Sequence, residues 1–230
     1  MIKRTGILRK RDDISKEEFR SYWLETHGPL VRETLGQGVK AYHQNHVVNS
    51  EQLGINFPRS NYKVDGFSQI TFNETTSMEE VFNEENQKTL KEDEPKFIGE
   101  LQLVMTEPKI VVPPPENKPL IKRISLLKRR HDIDLERFKF EWLQVHAEYV
   151  LSMNGIEGYI QNLAINRTID KKTQASYNEV PVDGIVELWF KDVESLEAAF
   201  QSENGQRTMN HAKEFLDEIT TFIVEDHKIV

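Results

Sequence analysis

The chain has 230 residues, no cysteine, and 38 acidic against 30 basic side chains, a formal net charge of -8 at pH 7. Those totals exclude a disulfide framework, a thiolate metal site and a cysteine nucleophile, and they work against a nucleic-acid partner, whose phosphates need clustered Lys and Arg. No apolar run approaches the roughly 18 residues of a membrane span, and the start MIKRTGILRKRDD lacks a signal peptide's apolar middle, so a cytoplasmic protein with no membrane partner is expected.

Loose alternation from Ile2 to Arg11, ended by Asp12-Asp13, predicts a strand. Ser15 with Glu18 forms a capping box for a helix that carries Phe19, Trp23 and His27 on one stripe. Gly28-Pro29 predicts a kink or restart after His27, because proline lacks an amide donor and disfavours helix in the residue before it. Strands follow at Val39–Asn49 and Asp65–Asn73, separated by the polar loop Ser50–Lys63. A second helix is expected from near Ser77, with Met78, Val81 and Phe82 at helical spacing, and then a strand at Leu101–Val112. The segment Pro113–Pro119 holds four of the nine prolines and reads as a semi-rigid spacer.

After the spacer the pattern starts again. Ile121 answers Ile2, Phe138 answers Phe19, Trp142 answers Trp23 and His146 answers His27, a constant offset of 119 residues. Tyr159-x-Gln161-Asn162 repeats Tyr42-x-Gln44-Asn45, and Asp183-Gly184 repeats Asp65-Gly66. The second copy has Asp134 as helix cap and Ala147-Glu148 in place of Gly-Pro, so its helix is expected to run on. Its strands are expected at Ile156–Asn166, Asp183–Lys191 and Thr220–Val230, with a helix from near Ser195 and a loop Arg167–Val182. The fold class is therefore α+β: two tandem ferredoxin-like βαββαβ domains, 1–112 and 120–230, joined by the linker 113–119. Each sheet has a face without helices, and two such sheets in one chain can cover each other as a barrel with the helices outside. The chain would be an internal pseudo-dimer, with further homo-oligomerisation left open.

Three separated motifs carry a family resemblance: Phe19-x-x-Tyr22-Trp23-x-x-x-His27-Gly28-Pro29-Leu30, Tyr42-His43-Gln44-Asn45-His46-Val47, and Asp183-Gly184-Ile185-Val186-Glu187-Leu188-Trp189-Phe190. In these the chain resembles EthD domains of the dimeric α/β barrel superfamily. The resemblance implies a pocket between sheet and helices. It does not imply one activity, since members of that superfamily include cofactor-independent monooxygenases, cyclases, isomerases and haem-using enzymes. The copies depart from the pattern differently: Gln69 stands where the second has Glu187, and Leu163 stands where the first has His46. The first half keeps more polar groups and is the favoured location.

His27, on the inward stripe, reads either as a core histidine bonded to backbone or as a pocket acid/base, and His146 reads the same way. Strand parity puts Tyr42, Gln44 and His46 on one face and His43 and Asn45 on the other, so His43 and His46 cannot converge on a metal, and no metal site is expected. Trp23, Tyr42, Gln44, His46, Gln69, His146, Tyr159, Gln161 and Glu187 are the candidate ligand-binding residues, with His27 the catalytic candidate. Glu187 needs a partner or water, and it would be a general base if His146 lay within reach. The two long loops read as lids or pairing arms, or as disordered segments. The functional expectation is a small apolar or aromatic ligand, with cofactor-independent proton transfer of cyclase, isomerase, dehydratase or decarboxylase type. The alternative is a non-catalytic binding or pathway accessory protein. No cofactor is called for; haem held through a histidine would need a site that the sequence does not mark. The element order is also that of RNA-recognition modules, but Gln69 replaces a stacking aromatic and the charge has the wrong sign.

Overall fold

The computed structural model describes residues 1–230 except 74–77, 117, 170 and 172, so the helix start expected near Ser77 lies outside the described residues. Strand β1 (Lys3–Lys10) leads into helix α1 (Lys16–Ser21). Its start is fixed by a reciprocal cap: the Glu18 amide donates to the Ser15 hydroxyl at 3.0 Å and the Ser15 amide donates to the Glu18 carboxylate at 2.7 Å. The backbone then widens into a π-helical turn, Tyr22–His27, and continues as α2 (Gly28–Leu35) in right-handed helical conformation throughout. A new helical segment starts at Gly28, the restart expected after His27. Pro29 falls in the first turn of α2, where a missing donor is tolerated.

The first half continues through β2 (Val39–Asn49), β3 (Gly66–Phe72), α3 (Met78–Val81), α4 (Glu84–Asp93) and β4 (Ile98–Val112). The second runs β5 (Ile121–Arg129), α5 (Leu135–Phe140), a π turn at Glu141–Val145, α6 (His146–Leu151), β6 (Gly158–Ile169), the short β7 (Thr173–Gln174), β8 (Gly184–Phe190), α7 (Val193–Gln201), α8 (Glu203–Ala212) and β9 (Leu216–Lys228). The π turn occurs in both copies although only one has the proline, so it belongs to the repeat. The second helix of each half is broken in two, because Asn83 and Ser202 each turn extended and cap a new helix.

Every strand pairing is antiparallel, in the order β4-β1-β3-β2-β9-β5-β8-β6, and β4 returns to pair with β6. This closure is the expected barrel with the helices outside, and it shows how the two sheets meet. The halves join edge to edge, β2 on β9 (Asn45 opposite Asp226) and β4 on β6 (Lys109 opposite Gln161), and the ring of eight strands keeps no free edge. Inward residues Ile7, Val47, Phe67, Val104, Ile124, Ile185 and Phe222 fill the barrel, while outward residues pack under the helices of each half.

The repeated Asp-Gly pair is explained by packing. A Cβ on Gly66 would sit 2.2 Å from the Trp23 ring, and one on Gly184 would sit 2.4 Å from that of Trp142, so each indole requires bare backbone beneath it. Asp65 and Asp183 accept from the amides of Lys10 and Arg129, both at 2.9 Å. Both long loops cross between the halves. Phe57 of the first is buried in the helix-side core of the second half, where Pro58 accepts from the Ile219 amide at 2.9 Å. From the other loop, Lys171 pairs with Glu94, and Ala175, Val180 and Val182 join the barrel core.

Candidate functional site

The polar groups expected to form a pocket in the first half are bonded mainly to one another. The Trp23 indole donates to the Tyr42 hydroxyl at 3.1 Å, and the Gln44 amide donates to the Trp23 carbonyl at 2.8 Å. The His46 ring bonds the Gln44 oxygen at 3.1 Å through Nε2 and stacks on Trp23 with centroids 4.4 Å apart. His27 Nδ1 lies 2.7 Å from Asp93, which also accepts from the Tyr22 hydroxyl at 2.6 Å. Burial pulls the His27 imidazole below its ordinary value, opposed by Asp93. Trp23, Tyr42, Gln44 and His46 therefore form one bonded network, with His46 Nδ1 left without a partner, and His27 belongs to a second one with Asp93.

Gln69 and Glu187 point the other way, into the barrel. Glu187 accepts from Lys3 at 2.6 Å and from Lys122 at 2.8 Å, and Lys122 also meets Asp226 at 3.1 Å and Gln69 at 3.2 Å. Burial favours the neutral carboxyl of Glu187, but Lys122 and Lys3 outweigh it and hold the group well below the carboxylate range. The two ammoniums and two carboxylates balance, as a buried charge cluster must. The wall of the sheet separates Glu187 from His146, so the two do not act together.

In the second half the groups equivalent to the bonded network are open. Trp142 Nε1, the Tyr159 hydroxyl and Gln161 Oε1 are buried without a partner. Gln161 Nε2 donates to the Trp142 carbonyl at 2.6 Å as Gln44 does to that of Trp23, but apolar Leu163 stands where His46 bonds the Gln44 oxygen, which leaves Gln161 Oε1 without that partner. Beside them lies a cavity of about 50 Å³ lined by Ile55, Arg123, Ser125, Trp142, His146 and Tyr159, with Val150, Leu188 and Phe200 among the apolar side chains. It sits between sheet and helices, roofed by Ile55 from the long loop of the other half. Broader clefts of about 390 and 470 Å³ flank Tyr62 and Lys63, but they are open and lined by charged groups such as Arg9, which pairs with Asp12 and Glu100.

His146 is the imidazole of this cavity. Its Nδ1 lies 3.1 Å from Nδ1 of His211, whose Nε2 lies 3.3 Å from Glu141. Glu141 faces His211 Nε2 and the two Nδ1 atoms face each other, so one proton is shared between the two rings; with the proton on His146 Nδ1, its Nε2 keeps a free lone pair. Burial, aided by the neighbouring His211, pushes the His146 imidazole down to about 3, so it is neutral at physiological pH.

Arg123 completes the cavity. It is 2% exposed, its Nη1 donates to the Leu53 carbonyl at 3.1 Å, its guanidinium lies 4.6 Å from the Phe200 ring centre, and its Nε has no partner. Burial drops the guanidinium to about 9. Sequence reasoning passed over Arg123, Ser125, Glu141 and His211. One signal was present: Ile2-Lys3-Arg4 and Ile121-Lys122-Arg123 place two adjacent cations in the same strand twice, one on each face.

The EthD domain model matches residues 11–100 and 130–219, one copy in each half. The chain belongs to the EthD family. Among curated protein sequences none matches. Solved structures resemble the EthD pair in fold. An anthrone oxidase-like protein is 9% identical with a TM-score of 0.66, covering 99% of this chain and 93% of that one. A candidate monooxygenase of Lactobacillus acidophilus NCFM is 10% identical with a TM-score of 0.58, over 100% and 94% of the two chains. A dye-decolorizing peroxidase of Bacteroides thetaiotaomicron VPI-5482 is 8% identical with a TM-score of 0.54, over 96% and 92%. Among the described residues no cluster of three His, Cys, Asp or Glu could hold a metal ion, and no helix is long and apolar enough to cross a membrane.

Proposed function

We propose that this EthD protein binds a small apolar or aromatic molecule between the sheet and helices of its second half, and that His146 performs cofactor-independent proton transfer there. The observation that carries the reading is a cavity whose buried indole and phenol donors, Trp142 and Tyr159, have no protein acceptor beside a neutral imidazole. Unpaired buried donors cost stability, and a ligand oxygen would recover it. The His146 imidazole and the donors on the same cavity suit removal and return of a proton once a bound ligand raises the basicity that burial has lowered, the step shared by isomerases, cyclases, dehydratases and decarboxylases. This assignment replaces His27, whose Nδ1 is engaged by Asp93 and which does not line the cavity. Volume supports a ligand far smaller than haem and a roof that moves, because about 50 Å³ is well short of the roughly 300 Å³ of an ordinary ligand site.

The repeated element order and the two family matches support reading residues 1–112 and 120–230 as ferredoxin-like βαββαβ domains on either side of a linker at 113–119, standing in one chain for a two-chain barrel. The absence of cysteine fits a cytoplasmic location. Binding is tested by NMR on protein labelled at the Trp142 indole, titrated with small aromatic compounds. Ligands are expected to shift that resonance in the wild type and not in Ser125→Leu, which fills the cavity. His146→Gln is expected to keep binding while losing exchange of ligand carbon-bound hydrogen with solvent deuterium. An indole signal that no compound moves would refute the site.

A further inference from the structure

Resting on that reading of the cavity, we propose that its ligand is a small organic carboxylate and that Arg123 is the counter-ion. Two adjacent residues show why. Lys122 and Arg123 are both almost fully buried, on opposite faces of β5. Lys122, inside the barrel, is supplied with two carboxylates, Glu187 and Asp226. Arg123, on the helix side, forms no ion pair among the described residues. Among the described residues its one hydrogen-bond acceptor is the neutral Leu53 carbonyl, and its Nε is orphaned. Burying a cation without a counter-charge is costly, and this fold avoids it one residue away.

The rest of the lining points to the same missing partner. Arg123, Trp142 and Tyr159 all offer donors, and the cavity wall includes no Asp or Glu. What the inventory lacks is an acceptor with negative charge, and a carboxylate matches a guanidinium fork in geometry and in charge. Ile55, Val150, Leu188 and Phe200 leave the remainder of the ligand in apolar surroundings. The corresponding arginine of the first half also lies over a ring, Arg4 at 3.9 Å from the Phe82 centre, but there the charge of Glu94 opposes the effect of burial, whereas burial alone acts on Arg123. The bond from Arg123 to Leu53 also ties the guanidinium to the roof loop. A carboxylate entering under that loop takes the place of the Leu53 carbonyl, so binding and opening are coupled.

The test compares shape-matched probes, benzoate with benzamide and 4-methylbenzoate with 4-methylbenzamide, by NMR titration of the full chain at pH 7. Each acid is expected to bind the wild type at least tenfold more tightly than its amide. Arg123→Met is expected to erase that preference and leave amide affinity within about twofold, while Arg123→Lys, which keeps the charge, retains part of it. Equal affinity for acid and amide in the wild type would overturn the carboxylate assignment and leave the pocket standing. Failure of all four compounds to perturb any cavity resonance would overturn both. Should Arg123→Met not fold, the wild-type ratio of acid to amide decides by itself.

Discussion

At the scale of single residues, the two halves use one motif in opposite ways. Tyr42, Gln44 and His46 bond one another around Trp23, while Trp142 Nε1, the Tyr159 hydroxyl and Gln161 Oε1 are left without partners, and Leu163 accounts for the last of these. His46 bears on stability. Burial, with His227 adding to it, holds its pKa near 3, and His146 is held at about 3 as well, against about 6.5 in an unfolded chain. The unfolded chain therefore takes up protons first as pH falls, so stability declines from about pH 6.5 downward and keeps declining towards pH 3. His46→Leu, the residue its counterpart already has, should remove one proton from that uptake. The slope of unfolding free energy against pH should flatten by about 1.4 kcal/mol per pH unit in this window, as measured by urea unfolding at pH 7, 5.5 and 4.5. An unchanged slope would mean that His46 is protonated in the folded protein.

At the scale of elements, the informative piece is the loop after β2. A polar stretch without regular structure was legible in the sequence, but its destination was not, since Leu53, Ile55 and Phe57 look like ordinary loop apolars until they are found on the other half's core. The loop can lie there because Gly54 takes φ +75° and passes the Phe200 side chain, where an added Cβ would be 3.1 Å from that of Phe200. Left-handed backbone costs an L residue about 1–2 kcal/mol, more when the residue is β-branched. Gly54→Val should lower stability by at least that amount and raise amide hydrogen exchange selectively over residues 50–58 and in the cavity wall. Exchange unaltered in that segment would show that the loop does not depend on the glycine.

At the scale of the whole molecule, closure determines what each half can do alone. A polypeptide of residues 1–114 would carry two bare edges, β2 and β4, and an uncovered inner face including Ile7, Phe67 and Val104. It should not persist as a monomer, and sedimentation should show dimers, in which two copies rebuild the ring, or aggregates. A stable folded monomer would contradict the account of closure.

The repeat, its mixed helix and strand content, the capped helix with its Phe-Trp-His stripe, and the sorting of Tyr42, Gln44 and His46 from His43 and Asn45 were all legible in the sequence. These follow from periodicity and caps, which act between residues a few positions apart. Only the tertiary structure decided that the sheets join by their edges, that Glu187 is neutralised by Lys3 and Lys122, and that the cavity lies beside His146 and Arg123. Edge pairing, charge compensation and empty volume depend on groups brought together from distant parts of the chain, as with Lys3 and Glu187 or Leu53 and Arg123. Such contacts leave no local period to read.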